Sequence, residues 1–233
     1  MKKSILLVMG IIILAMAANV NAQDQPQGKA SKEYIRQLNI YKKAKFYNDQ
    51  LMIRSAIYNL IEIDPSDNSL LDSLAFNYYS YRQYTSCLLV TLESLKRNPN
   101  NLTMMELKGI CWENIGDASK ALDSYESLFL KTNESLTLYK IGYLQLSLNR
   151  LNEAGTSVEI LLGKSDTEEI QISFNKADNT TQQVPLKAAV LNLKGLIARE
   201  KGDKVEARKQ FDEALKVAPS FELVQTNIKD LEG

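Results

Sequence analysis

The segment 195-GLIAREKGDKVEARKQFDEALKVAPSF-221 decides the fold. Leading into it, Leu186, Val190, Leu193 and Ile197 recur at three- and four-residue steps, which is helical periodicity. Gly202 and Asp203 interrupt it. A second apolar face follows, with Val205, Phe211, Ala214 and Leu215, and Pro219 ends that helix because a proline ring cannot continue one. The segment therefore reads as two antiparallel helices joined by a tight turn. Backbones approach closely only where side chains are small, which gives Gly195 and Ala207 their role at the crossing; Phe211 is expected to fill the wider gap further along.

One helical hairpin cannot bury its own apolar faces, so such a unit needs stacked neighbours. The spacing supplies them. Gly109, Trp112, Gly116, Ala121 and Tyr125 repeat the arrangement, and one step earlier Ala75 is followed by Tyr78, Cys87 and Pro99. A further equal step back stand Tyr41, Ala44, Ile53, Ile57 and Pro65, and one step after Gly109 come Gly142, Ala154, Val158 and Leu161. The interval from Gly142 to Gly195 exceeds the others by more than half a step, so an insertion lies between the last two units.

These positions resemble the tetratricopeptide repeat family, whose 34-residue unit reads W-x2-L-G-x2-Y, then A-x3-F, then P. Leu191, Gly195, Ala207, Phe211, Ala214 and Pro219 all match, and the likeness runs over residues 34 to 221. The first copy departs from it, with Tyr41 at the glycine site and Ile53 at the alanine site. The resemblance implies an all-α fold: a right-handed α-solenoid of about five antiparallel helix pairs, at residues 34–67, 68–101, 102–134, 135–167 and 186–221. A helix over 220–233, with Phe221, Val224, Ile228 and Leu231 on one face, would cover the apolar end of the stack.

In this family the first helix of each unit lines a concave groove that holds an extended or helical peptide. By resemblance the inward positions are Asp72, Phe76 and Tyr79, then Glu106, Ile110 and Glu113. Tyr139, Tyr143 and Leu146 follow, and then Asn192, Leu196 and Arg199. Tyrosines anchor peptides well, offering large contact area at low entropic cost. A register error of one residue would rotate these side chains by about 100° and turn some of them into core. Asn192 alone matches the lysines and asparagines with which some members clamp a terminal carboxylate, so that specialised role is not expected.

Within the insertion, 168–185, Ile170, Ile172 and Phe174 alternate with polar residues, "NKADNTT" is turn-like, and "QQVPL" resumes apolar character. This predicts a β-hairpin. It would be either a binding element projecting from the scaffold or an ordered connector packed on its neighbours. At the start of the chain, Lys2 and Lys3, the apolar run from Ile5 to Ala18 and Val20-Asn21-Ala22 have the anatomy of a signal peptide cleaved after residue 22. Residues 23–33 would be a flexible tether. The expectation is an exported protein, periplasmic or secreted, from a Gram-negative bacterium.

The chain has 28 basic and 28 acidic residues, and loss of residues 1–22 removes only Lys2 and Lys3 from that balance; nothing in it suggests a nucleic-acid partner, which would call for a clustered basic face. There is no histidine, hence neither the commonest acid–base catalyst nor the commonest metal ligand. Gly163-Lys164-Ser165 lacks the earlier glycine of a phosphate loop, Val158 standing in its place, and reads as a helix end. The acid pairs Asp64 with Asp67 and Glu168 with Glu169 read as solvated surface. Cys87 and Cys111 lie in apolar helical stretches where a buried thiol packs well, although export would allow them to pair. No catalysis, cofactor or metal is expected. The function expected is that of a scaffold or adaptor binding a protein or peptide in the groove; the alternative is a self-associating protein or envelope-assembly subunit using its convex face or the insertion.

Overall fold

The structure, a computed structural model, describes residues Ser31 to Glu232. The signal peptide and most of the tether lie outside the described residues. Contacts divide the chain after Leu70, and the two parts are described separately.

In the first part, α1 (Lys32–Phe46) packs against α2 (Gln50–Ile63). Helix α1 thus takes in Lys32 and Glu33, the end of the stretch read as tether. Ser31 caps it by accepting from the Tyr34 amide at 3.0 Å, and Asp49 caps α2 through the Met52 amide at 3.1 Å. Such caps satisfy amides that a helix start leaves without partners. Tyr34, Gln37 and Ala44 of α1 are buried, as are Ile53, Ala56, Ile57 and Leu60 of α2. Asp64, read as surface, is instead buried just after α2, where its carboxylate accepts from the Ser66 hydroxyl at 2.6 Å. Helix α3 (Asn68–Ser80) spans the division.

The second part continues with α4 (Tyr84–Arg97), α5 (Leu102–Ile115), α6 (Ala118–Thr132), α7 (Ser135–Ser147) and α8 (Leu151–Leu162). A 3₁₀ turn, Ser165–Thr167, leads to strands β1 (Gln171–Asn175) and β2 (Thr181–Pro185), and then come α9 (Leu186–Glu200), α10 (Lys204–Val217) and α11 (Glu222–Glu232). The fold is an all-α solenoid of successive antiparallel helix pairs carrying one small hairpin. The turns inside the pairs mark its period: Asn48, Arg82, Gly116, Asn149 and Gly202 each have positive φ, at near-equal steps until the hairpin lengthens the last. At Gly116, with φ of 93°, and Gly202, with φ of 82°, glycine takes a backbone shape that strains other residues. Asp117 and Asp203 then cap the following helices.

Small residues do sit at the crossings. Ala75, Ala121, Ala154, Ala207 and Ala214 are fully buried. A Cβ at Gly109 would come within 2.8 Å of the Tyr125 ring, and one at Gly195 would collide with Phe211. The Phe211 ring therefore lies on the glycine itself rather than further along the interface. Val205 is a second correction, being 82% exposed in the first turn of α10, two residues and so about 200° from buried Ala207; the buried face is Ala207, Gln210, Phe211 and Ala214.

Strands β1 and β2 pair antiparallel from Gln171 opposite Pro185 to Asn175 opposite Thr181. The insertion is packed on its neighbours by one face. Ile172, Phe174 and Val184 turn inward, and the Phe174 ring meets Phe221 at 4.8 Å between centroids. The Ala177 amide donates to Glu222 at 2.8 Å, and the outer face presents Gln171, Ser173, Asn175, Thr181 and Gln183. Helix α11 buries Phe221 at its entry, then Val224, Asn227 and Leu231, with Ile228 half-buried.

Candidate partner-binding face

The first helices of the pairs in the second part are α3, α5, α7 and α9, and one position recurs on all four. It directly follows the small crossing residue. Ala75, Gly109, Gly142 and Gly195 are followed by Phe76, Ile110, Tyr143 and Leu196. All four are apolar or aromatic. Phe76, Ile110 and Leu196 are half-buried, and Tyr143 is 53% exposed. Because the preceding residue is pressed against the second helix, the next one is turned roughly 100° away, far enough to reach the surface. A flanking row stands three residues on: Tyr79 and Leu146 half-buried, Glu113 exposed, and Arg199 half-buried with its guanidinium 3.5 Å from Glu200.

The row three residues before the crossing does not hold. Glu106 is exposed, but Tyr139 is only 8% exposed and belongs to the core cluster of α5 to α9. Burial pushes its hydroxyl above the usual tyrosine range. Asn192 is 2% exposed and accepts from the Asn227 amide group at 2.8 Å, so α11 covers it. Asp72 is half-buried and structural, accepting from the Ser94 hydroxyl at 2.5 Å and from Asn101 at 2.8 Å; it ties α3 to α4 and to the cap of α5. Tyr139 and Asn192 are therefore withdrawn from the face. Sequence register fixes which way a side chain points, whereas burial depends on which neighbour covers it.

Sequence reading missed Lys140. Its ammonium lies 4.8 Å from the centre of the Tyr125 ring, donates to the Tyr125 oxygen at 3.3 Å and stands 3.7 Å from Glu106. The Tyr125 hydroxyl in turn donates to Glu113. Burial, aided by Glu113, raises the Tyr125 hydroxyl well above its ordinary range, so it remains a donor at neutral pH. Two carboxylates, an ammonium and a phenol thus meet beside Ile110 and Tyr143. A signal existed: Lys140 stands two residues before Gly142, where Leu107 and Leu193 hold buried positions in α5 and α9. A lone charge at a core register has to reach out.

Among the described residues no group of three or more His, Cys, Asp or Glu could hold a metal, and no helix is long and apolar enough to cross a membrane. Gly163-Lys164-Ser165 is a helix end, Gly163 being the C-cap of α8, and the Lys164 ammonium donates to the Asn133 carbonyl at the end of α6 at 2.8 Å. Cys87 and Cys111 are unbonded, fully buried thiols in one core cluster with Ala75 and Leu107. The neighbouring Cys87 thiol, together with burial, pushes Cys111 above the usual thiol range.

No family model matches the sequence, and no curated protein matches it. Solved structures do match the fold. The chain is similar to a tetratricopeptide repeat protein from Parabacteroides merdae, with a TM-score of 0.68 at 15% identity over 86% of this chain and 73% of that one. YrrB, described as a TPR protein with an unusual peptide-binding site, gives 0.65 at 14% identity over 84% and 91%. The fold is the tetratricopeptide-repeat fold. MamA from Desulfovibrio magneticus shares it, at a TM-score of 0.63 and 14% identity over 82% of this chain and 98% of that one. Within this fold the row Phe76, Ile110, Tyr143 and Leu196 occupies one equivalent position on four first helices.

Proposed function

We propose that the protein is an exported, non-catalytic scaffold whose first-helix face binds a protein or peptide partner. The observation that carries this reading is the apolar row Phe76, Ile110, Tyr143 and Leu196, one residue at the equivalent position of each of four first helices, reached by solvent and flanked by Glu106, Glu113 and Lys140. Apolar anchors beside a few fixed charges supply affinity and orientation respectively. The peptide-binding site ascribed to YrrB supports the same use of the same fold. Export rests on the segment from Met1 to Ala22 alone.

The test is capture of a partner from envelope extract by residues 23–233, compared with an Ile110→Ala, Tyr143→Ala double variant. Loss of the captured protein, with helical content retained and melting lowered far less than by truncating a fully buried ring, is the expected result. Tyr139→Ala serves as the opposite control: it should lower stability by about 3–5 kcal/mol, as truncation of a buried aromatic does. Equal capture by the double variant and the parent chain would move the site off this face.

A further inference from the structure

The turn between α1 and α2, 42-KKAKFYNDQLM-52, exposes more apolar surface than the fold can use. Phe46 is 82% exposed, Tyr47 66%, Leu51 79% and Met52 44%. Single exposed apolar residues are ordinary, and Leu130 or Val205 is as exposed as any of these but stands alone. Four so close together in sequence form a patch, and patches mark contact surfaces. The Phe46 and Tyr47 rings also meet edge to face, 5.2 Å between centroids, which holds them together at the tip.

Charge surrounds this patch with one sign. Lys42, Lys43 and Lys45 are all exposed toward the end of α1. The one acid at the turn is Asp49, whose carboxylate is occupied in capping α2. On α1 the sole acid is Glu33, at the opposite end of the helix from Phe46 and so about 20 Å away along its axis. Glu62 lies at the far end of α2.

We infer that the α1–α2 tip docks on an anionic lipid bilayer surface, with Phe46, Tyr47 and Leu51 entering the headgroup boundary and the three lysines facing lipid phosphates. An apolar residue gains from contact only if an apolar medium receives it. Side chains exposed to this degree project from the surface, so a bilayer can take them in, whereas a bound peptide or nucleic acid would have no walls around it here. Aromatic side chains favour the boundary between headgroups and acyl chains, and lysines near an anionic surface each contribute about five-fold in affinity.

The experiment is sedimentation of residues 23–233, which contain every described residue, with vesicles of phosphatidylcholine in which roughly one lipid in three is phosphatidylglycerol. Expected is partition onto these vesicles and not onto pure phosphatidylcholine, weakened in concentrated NaCl as screening demands. Replacing Lys42, Lys43 and Lys45 by Gln should lower the partition coefficient roughly 100-fold. The Phe46→Ser, Leu51→Ser variant should lower it at least about 10-fold. Leu130→Ser, which removes an equally exposed leucine elsewhere, should leave it unchanged, and circular dichroism should show all variants folded. Absence of binding to the anionic vesicles overturns the inference, as does equal binding by the tip variants. A tip-dependent dimer in sedimentation velocity without vesicle binding overturns it in favour of a second copy of the chain.

Discussion

In the α5–α6 pair the ring laid over the crossing glycine is Tyr125; in the α9–α10 pair it is Phe211. The spacing from Gly109 to Tyr125 equals that from Gly195 to Phe211, and both rings are fully buried. The difference is one oxygen. It reaches Glu113 on α5 and receives Lys140 from α7, so the core of that pair is wired to the candidate face. In α9–α10 the position equivalent to Glu113 is Arg199, which turns to Glu200, and the ring ends in carbon. The repeat thus fixes the slot between two helices, while the chemistry at its edge varies from one pair to the next. Of these two pairs, a carboxylate stands in the one that has a hydroxyl to receive and is missing from the one where it would face bare ring.

The largest effect should come from filling the slot. Gly195→Ala places a methyl against the Phe211 ring, which is buried and has nowhere to go, so overpacking should cost about 1–3 kcal/mol. Gly109→Ala meets Tyr125 at 2.8 Å and should cost less, since the contact is milder. Gly155, in mid-α8 with nothing within 4 Å of its added Cβ, is the control; Ala there should stabilise by about 0.5–1 kcal/mol through helix propensity alone. Urea midpoints at constant slope measure all three. A Gly195→Ala protein as stable as Gly155→Ala would break the idea that glycine is there for close approach.

Much of this was legible beforehand. The glycine, alanine and ring positions follow from spacing, because a helix crossing constrains them by size whatever surrounds them. The groove was legible in part. The row Phe76, Ile110, Tyr143 and Leu196 came through, since its direction is set by the crossing residue immediately before it. Tyr139 and Asn192 did not, because their burial is decided by elements distant in sequence: Asn192 lies under Asn227 of α11, and Tyr139 sits in a cluster joining α5 to α9. Asn227 was invisible as a core residue for the same reason, being polar until its partner is known. The tip residues Phe46, Tyr47 and Leu51 lay in the copy that departs furthest from the repeat pattern, where the template says least.

Tyr125→Phe makes the first pair resemble the second and should have the intermediate effect. The lost hydrogen bond should cost about 0.5–1.5 kcal/mol. Its pH dependence sharpens the comparison. Burial raises the Tyr125 hydroxyl in the folded chain, so above about pH 10 the unfolded chain releases its proton first and stability falls with rising pH. The variant should lose part of that alkaline fall, the remainder coming from Tyr139, Tyr79 and Tyr41, whose hydroxyls burial also raises. Identical alkaline profiles for the variant and the parent would mean that the hydroxyl is not closed off as the geometry has it.

The smallest effect concerns the other feature that separates the α9–α10 pair from its neighbours, the hairpin that precedes it. Asp178 in its turn accepts from the Thr180 amide at 2.9 Å and hydroxyl at 2.6 Å, with Lys176 at 3.2 Å. Those Thr180 bonds, and then Lys176, hold its carboxyl down to about 2. A carboxyl depressed on folding stabilises above its unfolded value of about 3.9, and that contribution disappears as pH falls toward about 2. The side chain is fully exposed, so the consequence should be local: an NMR titration midpoint near 2 for Asp178, and faster amide exchange at Lys176 and Thr180 in Asp178→Asn, with the melting of the helices unmoved. If that substitution instead lowered the melting of α9 and α10, the exposed tip of the hairpin, and not only its packed strands, would carry part of the stability of the last pair.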